Sequence, residues 1–476
     1  MSSKETAQRR PIIVQKFGGT SVDTHEHRRA AALKVIAARD SGNEPVVVVS
    51  AIGRSGAPYA TDTLRDQLRS VDPSTSPHAR EMDAMMACGE MISAAVMAVT
   101  LQSMGYPAIA MSGPQAGIQT DGEFGNARIR SVEPTAVREA IARGEIPVVC
   151  GFQGIAWEPG SPTHGLTTTL GRGGSDTTAT ALGAALGAAA VEIYTDVDGV
   201  KTADPDMVPD ARTLELCTYP ELAEITHLGA QVVHPRAAEI AMDYGIELWV
   251  KSTFSDAPGT RIIRAEDAPP DLRRRVTGVA HSGRGVFIRL EIKNEAHKPV
   301  IEQEVYRLMA EAGVNIFLTS FSPTTMAFAV TRDRYATARD LLDGMVVPVG
   351  ANPNAQPAST FYIFRFEEDG HPDLAYRAQR PLLRSIEQFI DVVDVPGSVF
   401  ENVTMVSLVA GEHRHVPGVL AAIVETLNDA GIPIHQVADS TMSISCLIPE
   451  TDVNRAVLIL HERFGLGNGA ESDTPS

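Results

Sequence analysis

Along residues 12–250, short apolar runs alternate with longer stretches of helical period. The runs PIIVQKF, EPVVVVSAI, PAIAM, IPVVCGF, AVEIYTDV and IELWVKS read as strands. Residues 26–38, 79–103, 134–143 and 175–187 read as the helices between them. Unbroken Val/Ile runs flanked by helices predict a mainly parallel sheet buried on both faces. The first unit is thus α/β and is expected to span residues 10–265.

After residue 265 the pattern changes. APPDLRRRV reads as a linker. Beyond it the segment from Pro299 to Ile316 resembles the segment from Pro417 to Ile434, and both landmarks are offset by 118 residues. That spacing is too long for a solenoid and points to two copies of one small domain. Each copy reads strand, helix, strand, strand, helix. The first is expected at 276–344 and the second at 403–466, joined by a connection over 345–402 and followed by a polar tail at 467–476. Within the connection, VGANPNAQPAS is loop-like, TFYIFRF reads as a strand and 381–390 as a helix. The tail after Gly465 is expected to be disordered.

Composition narrows the functional classes. The chain has 476 residues, 43% hydrophobic and 21% charged, an ordinary soluble profile. The balance of 41 basic against 59 acidic residues gives −18, a poor surface for nucleic acid or anionic membrane. Anionic substrates then need a local positive pocket. Lysine is scarce, so Lys16 and Lys201, each beside a Gly-containing loop, stand out. Cys88, Cys150, Cys217 and Cys446 form no C-x-x-C pair, which argues for free thiols in a reducing, cytoplasmic setting. The N-terminus shows no signal-peptide apolar region, and residues 92–111 read as a buried helix, a turn and a strand rather than a membrane span.

Three loops carry candidate chemistry. Lys16, Phe17, Gly18, Gly19, Thr20 and Ser21 follow a strand and open a helix. Glycines let backbone N–H groups approach an anion, the helix start adds positive potential, and Lys16 adds a full charge. The Walker A spacing is absent. The second loop, Thr167 to Asp176, holds Arg172, Gly173, Gly174 and Ser175 before another helix. Arg172 can grip a carboxylate with two parallel N–H bonds. Asp176 suits either the first helical turn or a place where substrate and phosphate loops converge. The third loop, Thr195 to Pro205, follows the strand AVEIY, and α/β sheets bind ligands at such strand ends.

Together these loops resemble the aspartate kinase family within the amino-acid kinase fold. The motifs are KFGGTS, TTLGRGGSD and TDVDGVKTADP, supported by Val49-Ser50-Ala51, Ala60-Thr61-Asp62, Cys88-Gly89-Glu90, Gly151-Phe152-Gln153-Gly154 and His234-Pro235-Arg236. The match covers residues 12–263, and the repeat resembles the family's paired ACT domains, small α+β effector-binding units. In that family the two units interleave, which assigns the strand near 276–280 to the second. GRSGAPYATDTL and VPGVLAAIV…IPIHQVADS resemble the monofunctional, diaminopimelate-sensitive Gram-positive type.

The resemblance implies transfer of the ATP γ-phosphoryl to the β-carboxylate of L-aspartate, at the entry to lysine, threonine and methionine synthesis. It places Lys16, Gly18 and Gly19 on the transferring phosphoryl, with Asp176 ordering the catalytic loop. It places Thr20, Thr61, Glu90, Arg172, Gly173, Gly174 and Ser175 on aspartate. Nucleotide contacts are implied for Lys16, Phe17, Gly18, Gly19, Thr195, Asp196, Val200, Lys201, Asp204, Pro205, Arg212 and Gln231. Mg²⁺ is expected to arrive with ATP, held by phosphate oxygens and water, with no protein ligand assigned. The effector is expected near Asn315, Thr319, Gln436, Asp439 and Ser440. The ranking is meso-diaminopimelate, then lysine, then threonine. A homo-oligomer through the ACT-like units is implied. One departure stands out: Gln231 occupies a position the family commonly fills with a phosphate-contacting Lys. It leaves room for a catalytically weak amino-acid-sensing subunit, and Lys201 is a candidate to compensate. A kinase for another amino acid such as glutamate is the third reading.

Overall fold

The computed structural model describes residues 10–72, 74–229, 233–269, 276–292, 294–349, 360–366, 391–411 and 417–467. The six expected strands form at Ile12–Phe17, Glu44–Val49, Ala108–Met111, Ile146–Cys150, Ala190–Thr195 and Glu247–Ser252. With Leu216–Thr218 and Thr260–Ile263 they make one eight-stranded sheet. Its ladders are parallel except between Leu248–Val250 and Thr260–Ile262. Val46, Val47, Val48 and Val49 are all fully buried, as expected for a strand covered by helices on both faces.

Topology brings the loops together. The strand Ile12–Phe17 lies between Ala190–Thr195 and Glu44–Val49, and Glu44–Val49 pairs next with Ile146–Cys150, all parallel. The C-terminal ends of these four strands therefore share one edge, and the loops after Phe17, Val49, Cys150 and Thr195 gather there.

Two helices complete that edge. Gly174–Leu186 is rich in Ala and buried along most of its length. Its threonines are tolerated because Thr177, Thr178 and Thr180 donate to carbonyls one turn back, at Gly173, Gly174 and Asp176. Gly187, at φ +64°, ends it in the left-handed region. Ala79–Ser103 is long and apolar enough to cross a membrane by length and composition. Here Ala94, Met97, Ala98 and Leu101 instead pack into the core with Val47, Val49 and Val148, and the following turn leads to the strand Ala108–Met111.

A four-stranded sheet went unanticipated. It orders Ile129–Val132, Ile118–Thr120, Gln153–Ala156 and Thr167–Thr169. Strands of three or four residues are too short to display a period of two.

The repeat folds into a nine-stranded sheet. In the first copy Gly285–Glu291 pairs with Thr325–Thr331, which pairs with Phe317–Phe321, and the helices Lys298–Glu311 and Arg332–Leu342 belong to it. The second copy holds the strands Gln436–Asp439 and Ser443–Pro449 and the helices Val419–Asp429 and Val453–Arg463. One 20-residue strand, Asp391–Ala410, serves both copies: residues 397–403 pair with the first and 403–409 with the second.

Three boundaries differ from expectation. Val276–His281, placed within the 276–344 span, pairs with residues 406–410 and so lies in the second unit, as the interleaving implies. The 345–402 segment is more than a connection. Val346–Val349 and Thr360–Phe366 extend the sheet, with Val347, Val349, Tyr362 and Phe364 in the core of the first ACT-like copy. Thr360–Phe366 is the strand expected from TFYIFRF, whereas Val346–Val349, four residues before a Pro- and Asn-rich stretch, gave no strand signal. The polar tail begins later than 467: Leu466 is buried and Gly467 bridges to Ala211. The expected helix at 381–390, the 351–359 loop and residues 468–476 lie outside the described residues.

Candidate active site

The site is built on the shared strand-end edge. Lys16 Nζ lies 2.7 Å from Asp176 Oδ1, and both side chains are largely buried. The other Asp176 oxygen accepts from the His234 backbone N–H at 3.2 Å. Asp176 thus ties the first strand, the Gly174–Leu186 helix and the His234 turn. A Cβ on Gly18 would sit 3.7 Å from Lys16 Nζ and 3.9 Å from the Tyr194 carbonyl, so the first loop borders the third. Arg54 extends that border with a 2.8 Å ion pair to Asp196.

Gly19 is required by close approach. A Cβ there would stand 2.6 Å from the Gly53 carbonyl oxygen and 2.7 Å from that of Ala51. The Ala51 N–H in turn donates to Glu90 Oε1 at 3.0 Å. Glu90 is 2% exposed, and its Oε2 has no hydrogen-bond partner among the described residues. Burial pushes its carboxyl up to about 8, against the smaller opposing effect of the Ala51 N–H. An orphaned buried carboxylate oxygen invites a cationic group. Thr61 opens the helix Thr61–Arg69 nearby, since a Cβ on Gly89 would meet the Tyr59 carbonyl at 2.7 Å. Thr20 lies half-buried in the short turn Gly19–Ser21.

Arg172 is exposed and lines a cavity of about 420 Å³ with Gly173, Asp176, Thr226, His227 and His234. Gly173, at φ +67°, lies so close to the His234 ring that a Cβ would come within 2.1 Å of it. Ser175 abuts Gly151. Burial holds the His234 imidazole below its ordinary value, favouring the neutral ring.

A second cavity of about 240 Å³ is walled by residues 195–197 and 199–205 on one side and 278–281 on the other. It collects Thr195, Asp196, Val200, Lys201, Asp204 and Pro205, as the third loop suggests. Lys201 Nζ donates to Thr213 Oγ1 at 2.8 Å. Arg212 donates its backbone N–H to Thr202 Oγ1. The Phe17 ring is fully buried and stacks on Tyr194 at 4.8 Å, so its side chain is turned into the core. Gln231 lies outside the described residues.

In the repeat, Asn315, Thr319 and Asp439 are exposed and Gln436 is half-buried. Phe317 and Leu318 pack against a small cluster shared by the copies, including Phe287, Val403 and Leu447. Ser440 is turned toward the first unit: its hydroxyl donates to Glu224 Oε1 at 3.3 Å, beside Ser443, which donates to the same oxygen.

Asp83 escaped the sequence reading. It is fully buried and accepts from Gly125 N at 2.9 Å, Thr169 N at 2.7 Å and Thr169 Oγ1 at 2.8 Å. It therefore pins the strand that leads into Arg172. Its only local signal is an Asp on an apolar helix, which looks like any helix-surface carboxylate.

The family model described as amino acid kinase family matches residues 11–252, and one described as ACT domain matches residues 398–462. Aspartokinase from Mycolicibacterium smegmatis is 36% identical over 461 residues, covering 97% of this chain and 98% of that protein. The chain belongs to the aspartokinase family. Aspartokinase 1 of Bacillus subtilis is also 36% identical, over 96% of this chain and 99% of its own. Clostridium acetobutylicum aspartate kinase has the same fold, with a TM-score of 0.67 at 18% identity over 95% of this chain and 100% of that one. E. coli aspartokinase III, solved with aspartate and ADP, gives 0.63 at 21% identity over 95% and 99%. Within this aspartokinase, the Lys16–Asp176 pair joins the KFGGTS and TTLGRGGSD motifs.

Proposed function

We propose that this aspartokinase transfers the γ-phosphoryl of ATP to the β-carboxylate of L-aspartate, giving 4-phospho-L-aspartate and ADP. The observation that carries this reading is the Lys16–Asp176 pair beside both the nucleotide-type loop and the Glu90 pocket. A β-carboxylate with an ordinary pKa of about 3.9 is already ionised at neutral pH, so the nucleophile needs no general base. Catalysis reduces to positioning and neutralising phosphoryl charge. Lys16 and the Gly18 and Gly19 N–H groups face the transferring phosphoryl, and Asp176 holds the Lys16 ammonium in place. Glu90 receives the substrate ammonium, Arg172 its α-carboxylate, and Thr20, Thr61, Gly173, Gly174 and Ser175 add hydrogen bonds. ATP occupies the 240 Å³ cavity and the adjoining loop edge. Mg²⁺ arrives with it. Phosphate oxygens and water are its ligands.

The repeat makes the enzyme switchable by a pathway amino acid. Meso-diaminopimelate ranks first, lysine second and threonine third, bound near Asn315, Thr319, Gln436 and Asp439. A homo-oligomer through the ACT units and a cytoplasmic location complete the reading. ADP release with ATP-Mg²⁺ and aspartate or glutamate, each with and without the three effectors, tests it. Turnover with aspartate alone, lowered by one effector, is expected. Effector binding without turnover would make the chain a regulatory subunit.

A further inference from the structure

The third loop is not supported by the first unit alone. Ala203, Val208 and Ala211 are embedded in the hydrophobic core of the second ACT-like unit, among Val279, Leu408, Val457, Leu460 and Leu466. At the centre of this junction is Thr202, which lines the nucleotide-type cavity and is fully buried.

Every polar atom of Thr202 has a partner. Its backbone N–H donates to the Arg212 carbonyl at 3.0 Å, and its carbonyl accepts from Val279 N at 2.8 Å. Its hydroxyl lies 3.2 Å from the Leu466 carbonyl, 3.1 Å from Arg212 N and 3.0 Å from His461 Nε2. A hydroxyl has one proton to give. The Leu466 carbonyl can only accept, and Arg212 N–H can only donate. All three contacts are satisfied together when Thr202 donates to Leu466 and His461 carries its proton on Nε2. His461 is 2% exposed and sits in the last helix among the described residues, Val453–Arg463, 259 residues away in sequence. A buried polar side chain has thus been placed to hold one hydroxyl of the nucleotide loop.

We propose that His461 is a positioning residue for the nucleotide: through its Nε2–H it fixes Thr202, and with it the wall formed by residues 199–205. The inference rests on the reading that ATP binds in this cavity. It makes the C-terminal helix of the regulatory unit a working part of the nucleotide site. Removing the imidazole leaves the loop its other bonds but frees the hydroxyl to rotate, so binding weakens while the Lys16 side of the site is untouched.

The test compares His461→Ala and His461→Gln with wild type, in the full chain. The Gln amide retains a donor near the Nε2 position. Steady-state kinetics and direct calorimetric titration with ADP are both read. For His461→Ala, KM for ATP and Kd for ADP are expected to rise about five- to tenfold. KM for aspartate and kcat at saturating ATP should stay within about twofold. His461→Gln should recover most of the loss. On a Thr202→Val background, His461→Ala should add nothing further, because the two changes remove one interaction. Unchanged ADP affinity in His461→Ala overturns the proposal. So does an equal loss for both substrates, or an undiminished effect on the Thr202→Val background. If His461→Ala lacks a cooperative melting transition, Thr202→Val against Thr202→Ser carries the same test, with only Val expected to weaken ADP. Wild-type protein that turns over ATP yet shows no His461 effect removes this inference alone. Wild-type protein that binds no ADP removes the functional reading and this inference with it.

Discussion

Lys16 Nζ and Asp176 Oδ1 lie 2.7 Å apart although 160 residues separate them in the chain. The pair joins the end of the central strand to the first turn of a buried helix. Asp176 fixes where the ammonium stands, and the ammonium is free to face a ligand on its other side. Lys16→Met should therefore lower kcat about 10²–10³-fold, the usual loss on removing one preorganised donor to developing charge. The thermal transition should remain cooperative. A variant keeping more than half of wild-type kcat would remove Lys16 from the chemistry.

With Glu90 receiving the substrate ammonium as proposed, substrate binding is linked to protons. In the empty pocket its carboxyl is pushed up to about 8, so at pH 7 it is mostly protonated. An ammonium seated there favours the ionised form, and binding then releases a proton. KM for aspartate is expected to fall as pH rises from 6 to 8 and to level above that. Glu90→Gln should raise KM and flatten the profile. For folding the sign is opposite. Between the ordinary value of 4.5 and about 8 the folded state holds a proton that the unfolded chain has lost. The Glu90 contribution to stability thus declines across that window as pH rises. A KM for aspartate that is level from pH 6 to 8 would contradict the Glu90 role.

Arg172 tests the assignment of the carboxylate end. A point charge cannot reproduce the planar two-bond grip of a guanidinium. Arg172→Lys should raise KM for aspartate about tenfold or more while leaving KM for ATP within twofold. A rise in KM for ATP instead would assign Arg172 to the nucleotide.

Asp83 is predicted to matter although it touches no ligand. Alanine would leave the buried N–H groups of Gly125 and Thr169 without their acceptor. The cost is about 1–3 kcal/mol, the usual range for an unsatisfied buried group. Because Thr169 leads into the Arg172 loop, KM for aspartate should rise as well. An unshifted melting curve for Asp83→Ala would show that the three bonds are not needed.

Lys201 is held at the cavity wall by Thr213. If it compensates for the uncharged Gln231, Lys201→Ala should raise KM for ATP severalfold and adding Gln231→Lys should bring it back. An unchanged KM for ATP and kcat in Lys201→Ala would make it a loop-bracing lysine only.

What the sequence by itself determined is what local chemistry can encode. Buried parallel strands need unbroken Val/Ile runs, so EPVVVV and IPVVC declare themselves. Gly and Lys next to a strand end are what an anion-binding loop needs, so Lys16, Gly18 and Gly19 stand out as candidates without coordinates. The offset of the two copies is visible because each must form the same small core. Tertiary structure alone decided the rest. Asp83 is an acceptor for Thr169 only because a helix and a strand 86 residues apart meet. Tyr362 and Phe364 become core only when their strand joins the neighbouring sheet edge. Phe17, inside the phosphate-loop motif, turns its ring to Tyr194 because successive strand side chains point to opposite faces. His461 looks like any helix histidine until the last helix folds back on Thr202. Hydrogen bonds and apolar contacts act over a few ångströms, and distance in the chain carries no record of which groups end up that close.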